Sequence, residues 1–242
     1  EAREVAVKPK AIEVEPRLPE AGSLRPSGWL EELDAPRVFY MNLGHMVSKS
    51  ADPLIAAVAK LDKARAVVLD MRDYPDLDIY ELARRFHDRP YTAPIFGLPT
   101  WSGPERYELR DEVWDFEPAP KRYLGPIALL VSPQSVSAAE CFAQMLAPRA
   151  NVRVVGQTSA STNGTITELD LPGGFTVNFT GMRLRNPDGS EFHGLGLVPE
   201  LTVAPTAADF AAGRDPELLA ALKMLESATD KGRKAPKKRV LR

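Results

Sequence analysis

The sequence predicts an α/β fold in which a largely parallel sheet is followed by an antiparallel β layer. Apolar segments of strand length alternate with amphipathic segments of helix length over residues 37–156, as in parallel sheets joined by crossover helices. After Gly164 the pattern changes to short alternating strands separated by turns rich in Gly, Pro and Asn. With 242 residues, 44% of them hydrophobic, the chain is long enough to bury such a core.

The periodicity assigns most elements in chain order. The parallel part is predicted to contain strands at 38–43, 66–69, 93–96, 127–131 and 152–155, and helices at 52–61, 79–86 and 137–147. The antiparallel layer is predicted at 165–171, 175–179 and 182–184, and a closing helix at 215–226 places Leu218, Leu219, Leu222 and Leu225 on one face. Residues 99–122 give only weak signals.

Composition divides the chain into three parts. Residues 1–36 are rich in Pro and charge and predict a linker or N-terminal arm, in which Val5–Val7 is a candidate edge strand. Residues 37–229 form the predicted domain. Residues 230–242 are a basic, predicted disordered tail, and seven of the positive charges lie there, so the rest of the chain is acidic.

Several classes of function are disfavoured by composition. The one cysteine, Cys141, and three scattered histidines, His45, His87 and His193, lack metal-ligand spacing, so we expect no metal and no other cofactor. The basic tail has no interleaved aromatics, so no nucleic-acid partner is predicted. No apolar run approaches 18 residues, so we expect no membrane span in these residues. The start at Glu1 suggests an excised or processed fragment.

The most informative segment is the small, hydroxyl-rich turn that precedes the predicted helix 137–147. Ser137 stands where the helix begins, beside unpaired N–H groups that can stabilise an oxyanion, so it is a candidate nucleophile. The same residues, S-A-A-E, also fit a capping box in which Ser137 and Glu140 cap the helix. Ser135 is a second candidate of the same kind. Residue chemistry alone leaves both roles open.

Three segments resemble, in order, the C-terminal processing (tail-specific) serine peptidase family. The run L-V-S-P-Q-S-V-S-A-A-E followed by R-V-V-G-Q-T is similar to its nucleophile segment, an apolar strand with S-A-S-A-[SA]-E and then V-[VI]-G-x-x-T. Residues 67–72 (V-V-L-D-M-R) resemble its L-D-L-R strand, and residues 188–200 resemble its D-G-x…G-x-G-[IV]-x-P-D ending. The resemblance covers about residues 37–225.

The resemblance implies a crotonase/ClpP-like core and a serine endopeptidase that hydrolyses polypeptides near their C-termini through an acyl-enzyme. It implies Ser137 as the nucleophile, and the backbone N–H groups of Ala138 and Asp76 as the oxyanion hole. It also implies an extracytoplasmic (periplasmic or secreted) location, and often a PDZ domain, which would adjoin residues 1–36. Oligomeric state and substrate preference are not legible in the sequence.

The sequence departs from the family in the residue that activates the serine. The main branch uses a lysine about 25 residues downstream, but no lysine lies between Lys121 and Lys223. The tricorn-core-like branch uses a histidine in Y-x-H-[LI], and Asn42 occupies that position. His45 and His193 are therefore the candidate general bases, because imidazole is the side chain whose pKa suits the task. His87, in a charged segment, is expected at the surface.

A second departure lies in the turn after the L-D-M-R segment. The family has R-G-N-P-G-G, whereas this chain has R-D-Y-P-D-L at residues 72–77, and the carboxylates there disfavour an oxyanion. Two hypotheses therefore stand together: an active serine peptidase, and a catalytically impaired homologue that binds peptides or proteins. A crotonase-like acyl-CoA enzyme is disfavoured, since no basic or Gly-rich loop for adenine and phosphate is present.

Overall fold

The structure is a computed structural model that describes residues 25–44, 56–75 and 77–234, with side chains described up to residue 227. Its strands, numbered in chain order, are β1 (Gly28–Leu30), β2 (Ala35–Asn42), β3 (Ala66–Asp70), β4 (Tyr91–Thr92), β5 (Ile95–Gly103), β6 (Arg106–Glu112), β7 (Asp115–Phe116), β8 (Ile127–Val131), β9 (Val152–Gly156), β10 (Ile166–Leu171), β11 (Phe175–Thr180), β12 (Arg183–Arg185) and β13 (Leu201–Thr202). Its α-helices with both ends among the described residues are α1 (Ile79–Ala83), α2 (Ala138–Leu146), α3 (Ala207–Ala211) and α4 (Pro216–Lys234).

The central element is a six-stranded sheet with the order β1-β2-β3-β8-β9-β13. All neighbouring strands from β2 to β13 are parallel, and only β1 is antiparallel to its partner. β3 and β8 are buried along their whole length, as expected for strands with both faces covered. The predicted parallel α/β core is confirmed, but the strand predicted at 93–96 is not part of it. β5 begins at Ile95 and pairs antiparallel with β6 and β12 in another sheet.

Side chains that alternate along each central strand feed two hydrophobic clusters, one on each face of the sheet. Leu69 and Leu129 pack into the cluster that contains α1 and α2, whereas Val68 and Leu130 pack into the cluster beneath α4. The sheet is therefore the middle layer of three. α2 follows β8 in the chain and packs on one face of the sheet. Its first residue therefore lies near the carboxyl end of β8.

Three smaller antiparallel sheets extend from this core. β12 pairs with β5 and β5 with β6, β4 pairs with β7, and β10 pairs with β11 in a separate hairpin. The β10–β11 hairpin confirms the antiparallel layer predicted after Gly164. The region 99–122, which gave weak signals in the sequence, contributes most of the β5–β6 hairpin.

Several predicted boundaries change. The predicted helix 79–86 is α1 followed by a short 3-10 turn at Arg84–Phe86. Of the predicted helix 52–61, only residues 56–58 are helical among those described, and Leu61–Lys63 is a 3-10 turn. The placement of Leu219 on the apolar face of the closing helix was wrong: Leu218, Leu222 and Leu225 are buried but Leu219 is 38% exposed. Helix α4 has 3.6 residues per turn, and Leu219 lies at the edge of the buried stripe.

The predicted arm and tail are described only in part. Residues 28–30 of the predicted arm join the sheet as β1. The candidate edge strand Val5–Val7 and the last eight residues, 235–242, lie outside the described residues. No described helix combines the length and apolar character needed to cross a bilayer.

Candidate active site

Ser137 lies on a strained turn between β8 and α2. Its backbone has φ 54° and ψ −112°, a region that non-glycine residues rarely occupy and that costs about 1–3 kcal/mol. Such strain persists only where surrounding contacts hold it, and it is common at functional sites. A strained serine on a strand–turn–helix connection is also the geometry that exposes a nucleophilic hydroxyl in other hydrolases.

Ser135, the second serine candidate, is committed to holding this turn. Its side chain is fully buried, and its hydroxyl donates to the Met71 carbonyl at 2.7 Å and accepts from the Ser132 N–H at 2.9 Å. Ser132 in turn donates its hydroxyl to the Arg72 carbonyl at 3.1 Å. These bonds join the turn before α2 to the end of β3, so Ser135 has a structural role.

The Ser137 hydroxyl, by contrast, is half-buried and only loosely engaged. Ser137 and Glu140 have the arrangement of a capping box, and the Ser137 N–H donates to Glu140 Oε2 at 3.3 Å. The hydroxyl approaches the N–H of Glu140, but it does not make a capping hydrogen bond of normal geometry. The Glu140 side chain therefore fixes the Ser137 backbone, and the Ser137 hydroxyl lies close to the N–H of Glu140.

Glu140 acts as a clamp on the loop that follows β9. Its carboxylate is fully buried and accepts hydrogen bonds from the Ser159 hydroxyl at 2.5 Å, the Ser161 N–H at 2.7 Å and the Thr162 N–H at 3.2 Å. The Ser137 N–H also reaches the Thr162 carbonyl at 3.2 Å. Burial raises the pKa of the Glu140 carboxyl, although these hydrogen bonds act to lower it. The Glu140 side chain thus binds both the Ser137 backbone and the loop that lies beside it.

A cavity of about 750 Å³ opens directly beside Ser137. Its volume is within the usual range of ligand pockets, about 300–1,000 Å³. Ser137, Ala138 and Cys141 from α2 form one side, and the residues opposite come from α1, β5, β10 and the segments before β7 and β10, namely Leu77, Asp78, Ile79, Tyr80, Phe96, Trp114, Asn163, Gly164, Thr165 and Ile166. Ser137 therefore lies in the wall of this cavity.

Of the two predicted oxyanion-hole donors, one lies among the described residues. Ala138 is the first residue of α2, so its N–H has no partner within the helix and is free to bind a developing negative charge. Asp76, the predicted second donor, lies outside the described residues. Nearby, Asp73 packs tightly on Gly44, where an added Cβ would lie 2.5 Å from the Asp73 Cβ. The turn after β3 is thus packed against the segment that follows β2.

The two candidate bases are described unequally. His45 lies outside the described residues. His193 is half-buried, and its Nε2 contacts the Asn163 carbonyl at 2.7 Å. A carbonyl oxygen only accepts, so Nε2 carries the proton and Nδ1 is the nitrogen left to act as a base. His193 is bound to the loop that borders the cavity and makes no hydrogen bond to the Ser137 hydroxyl in the described part of the chain.

The packing also shows where Asn42 and His87 lie. Asn42, at the position of the family histidine, is buried and donates its side-chain N–H to the Arg25 carbonyl at 2.9 Å. The expectation that His87 lies at the surface was wrong, since it is only 5% exposed. The helix ends before His87, whose backbone is extended, and the ring stacks on Tyr91 with centroids 3.6 Å apart.

Arg72 anchors the other side of the site. It is buried and donates to Asp70 at 2.6 Å, Asp215 at 2.7 Å and Glu217 at 2.6 Å. Burial opposes ionisation of the Asp215 and Glu217 carboxyls. Hydrogen bonds and charge from Arg72 hold the pKa of Asp215 below its usual value, whereas burial raises the pKa of Glu217. The L-D-M-R segment thus joins β3 to the start of α4.

Sequence reasoning did not find the cavity walls. Tyr80, Phe96 and Trp114 line the cavity, yet they are far apart in the chain and two of them lie in regions of short or weakly signalled strands. The one signal in the sequence was Trp114, a tryptophan within a charged stretch. The described residues contain no group of three or more His, Cys, Asp or Glu side chains placed to hold a metal ion.

These features are those of α/β proteins that present a serine from a strand–turn–helix connection. The sequence profile of Peptidase family S41 matches residues 37–203 of this chain. The chain therefore belongs to Peptidase family S41, the C-terminal processing peptidase family that its motifs resemble.

One relative and several solved structures agree with this assignment. The chain is 26% identical over 162 residues to a protein named "Probable CtpA-like serine protease" from Staphylococcus haemolyticus, and the match covers 64% of this chain and 31% of that protein. Mature CPAF complexed with lactacystin superposes with a TM-score of 0.65 at 15% identity, covering 81% of this chain and 52% of that one.

More distant structures share the same fold. The photosystem II D1 C-terminal processing protease matches with a TM-score of 0.54 at 20% identity, over 76% of this chain and 46% of the other. The tricorn protease matches with a TM-score of 0.53 at 13% identity, over 84% of this chain and 18% of the other. This chain thus spans about a third of the length of the relative and about half of several of the matched structures.

Proposed function

We propose that this chain carries the catalytic core of a serine endopeptidase of the C-terminal processing type, with Ser137 as the nucleophile. The observation that carries the proposal is the strained Ser137 at the start of α2, in the wall of a cavity of about 750 Å³. Membership of Peptidase family S41 supports the same chemistry. A crotonase/ClpP-like arrangement of the core and an extracytoplasmic location belong to the same proposal.

The proposed reaction passes through an acyl-enzyme. Ser137 Oγ attacks the carbonyl carbon of the scissile peptide bond, while its proton passes to an imidazole, for which His45 and His193 are the candidates. The tetrahedral oxyanion is bound by the Ala138 N–H and by a second donor that we assign to Asp76. The protonated imidazole then gives its proton to the leaving amine, and water hydrolyses the ester and restores Ser137.

The alternative is a homologue that binds peptides without cleaving them. Two observations favour it enough to test: Asn42 stands where the family histidine lies in the tricorn-like branch, and His193 binds a backbone carbonyl rather than Ser137. Such a protein would keep the groove and the strained turn while lacking the base. The two functions differ in whether Ser137 reacts.

A fluorophosphonate probe separates the two functions. We expect the full-length protein to be labelled covalently between pH 6 and pH 9, and Ser137→Ala to abolish labelling. Ser102→Ala is the control, because Ser102 is exposed on β5 and does not line the cavity, and it should be labelled as the wild type is. Absence of labelling at every pH would leave the peptide-binding homologue.

A further inference from the structure

The cavity beside Ser137 is walled mainly by large apolar side chains. Ile79 and Tyr80 come from α1, Phe96 from β5, Trp114 from the segment before β7 and Ile166 from β10. On the side of the serine, the lining residues Ala138 and Cys141 are small. Elements distant in the chain therefore converge on one apolar wall.

The aromatic part of this wall is preformed. Tyr80 stacks on Phe116 with ring centroids 5.3 Å apart and an interplanar angle of 14°, and it meets Trp114 edge-on at 5.8 Å. Trp114 also packs against Phe96 at 5.1 Å. Because each ring is held by another, the wall keeps its shape without a ligand, and little ordering is needed when an apolar group enters.

The charge of the cavity lining disfavours binding of acidic substrate side chains. Its lining contains no lysine, arginine or histidine among the described residues, and its one carboxylate is that of Asp78. Asp78 already accepts the Tyr80 and Glu81 N–H groups at 3.0 Å and 2.9 Å as the N-cap of α1. An acidic substrate side chain placed here would be repelled and would find no cation.

We propose that this cavity binds the side chain of the substrate residue whose carbonyl Ser137 attacks, and that it selects a large apolar side chain, aromatic or of Leu or Met size. The inference rests on the proposed function, because it places that carbonyl between Ser137 Oγ and the Ala138 N–H. An Ala side chain would leave the aromatic wall in water, whereas a Phe or Leu side chain would cover it. A single methylene in such pockets is worth about 10–200-fold in specificity.

Peptidyl diphenyl phosphonates that differ only in this residue test the selection. We expect probes with Phe and Leu to inactivate the full-length protein at least about tenfold faster than the Ala probe, and the Asp probe to be slowest. An Ala, Asp or Lys probe that reacts fastest would overturn the inference. The plain fluorophosphonate has no such side chain and reports on Ser137 alone. Labelling by it without apolar preference would refute only this inference, and no labelling would refute the proposed function as well.

Variants of the wall assign the preference to these residues. Trp114→Ala should slow reaction with the Phe probe about tenfold more than reaction with the Ala probe, and Ile166→Ala, at a side chain that is 68% exposed, should shift the ratio in the same direction. Trp101→Ala is the control, because Trp101 is 69% exposed on β5 outside the cavity, and it should keep the wild-type ratio. Equal slowing on every probe in both wall variants would contradict a side-chain pocket here.

Discussion

The Glu140 carboxylate accepts a hydrogen bond from the Ser161 N–H at 2.7 Å, and this contact joins the first turn of α2 to the loop that follows β9. The loop also contacts Ser137 itself through Thr162. The position of the candidate nucleophile therefore depends on a buried acid three residues away in sequence. Glu140 is a positioning residue, since its carboxylate binds the Ser137 backbone N–H.

Replacing Glu140 by Gln should loosen both the loop and the serine. One carboxylate oxygen becomes an NH₂ group, which cannot accept from the N–H groups that now bond to it, so the free energy of unfolding should fall by about 1–3 kcal/mol. Fluorophosphonate labelling should slow although Ser137 is intact. Denaturant unfolding and labelling rates measure the two effects. Glu168→Gln, on the exposed hairpin strand β10, is the matched control, and an equal effect there would contradict a clamp.

Gly196 packs against the same loop. It has φ +66°, and an added Cβ would lie 2.5 Å from Ser161 Oγ and 2.9 Å from Ser159 Oγ. Gly189 has φ +85° with nothing within 4 Å of an added Cβ. Alanine at either position carries similar backbone strain, on the order of 1 kcal/mol. Only Gly196→Ala should also displace the loop, so it should lower both the unfolding midpoint and the labelling rate more than Gly189→Ala does. Equal losses in the two variants would show that the contact with Ser159 and Ser161 is unimportant.

Arg72 should be among the most sensitive positions for stability. Arg72→Met leaves the carboxylates of Asp70, Asp215 and Glu217 buried without their cation, and breaking a buried ion pair in this way costs about 3–5 kcal/mol. Arg72→Lys should rescue little, because an ammonium cannot match the planar fork of donors. Denaturant unfolding measures the loss. Arg110→Met, which removes an exposed ion pair with Glu112, should change stability by less than about 1 kcal/mol, and a comparable loss there would contradict the prediction.

The sequence predicts the sheet more completely than the site. β3, β8 and β9 are short runs of consecutive apolar residues, so their burial can be predicted from the local sequence. The apolar residues of α2 recur with a helical period. Ser137 was legible as a residue of two possible roles. The strained conformation of its turn was not, because it depends on the backbone angles there and on Glu140 bonding to a loop some 20 residues away.

Features built by distant contacts were not predictable. Tyr80, Phe96 and Trp114 meet only because α1, β5 and the segment before β7 converge on the start of α2, and no local periodicity reports this. The burial of His87 was missed for a related reason. Its charged neighbours suggested a solvated helix, but the helix ends in a 3-10 turn at Arg84–Phe86, and the His87 ring is buried against Tyr91. Local charge was a poor guide where the backbone geometry changed.

Buried His87 should make stability depend on pH in a defined window. Burial, with the nearby charge of Arg149, lowers the pKa of His87 to about 4, whereas an unfolded histidine has a pKa of about 6.5. Between these values the unfolded chain binds a proton that the folded chain does not, so the free energy of unfolding falls as pH decreases through this window. In His87→Gln, position 87 binds no proton in this pH range in either the folded or the unfolded state. The stability difference between wild type and His87→Gln should therefore shift against the wild type by on the order of 3 kcal/mol from pH 7 to pH 4. Denaturant unfolding at both pH values measures it, and a difference that does not change with pH would mean that the imidazole is solvated and the inward-facing ring is wrong.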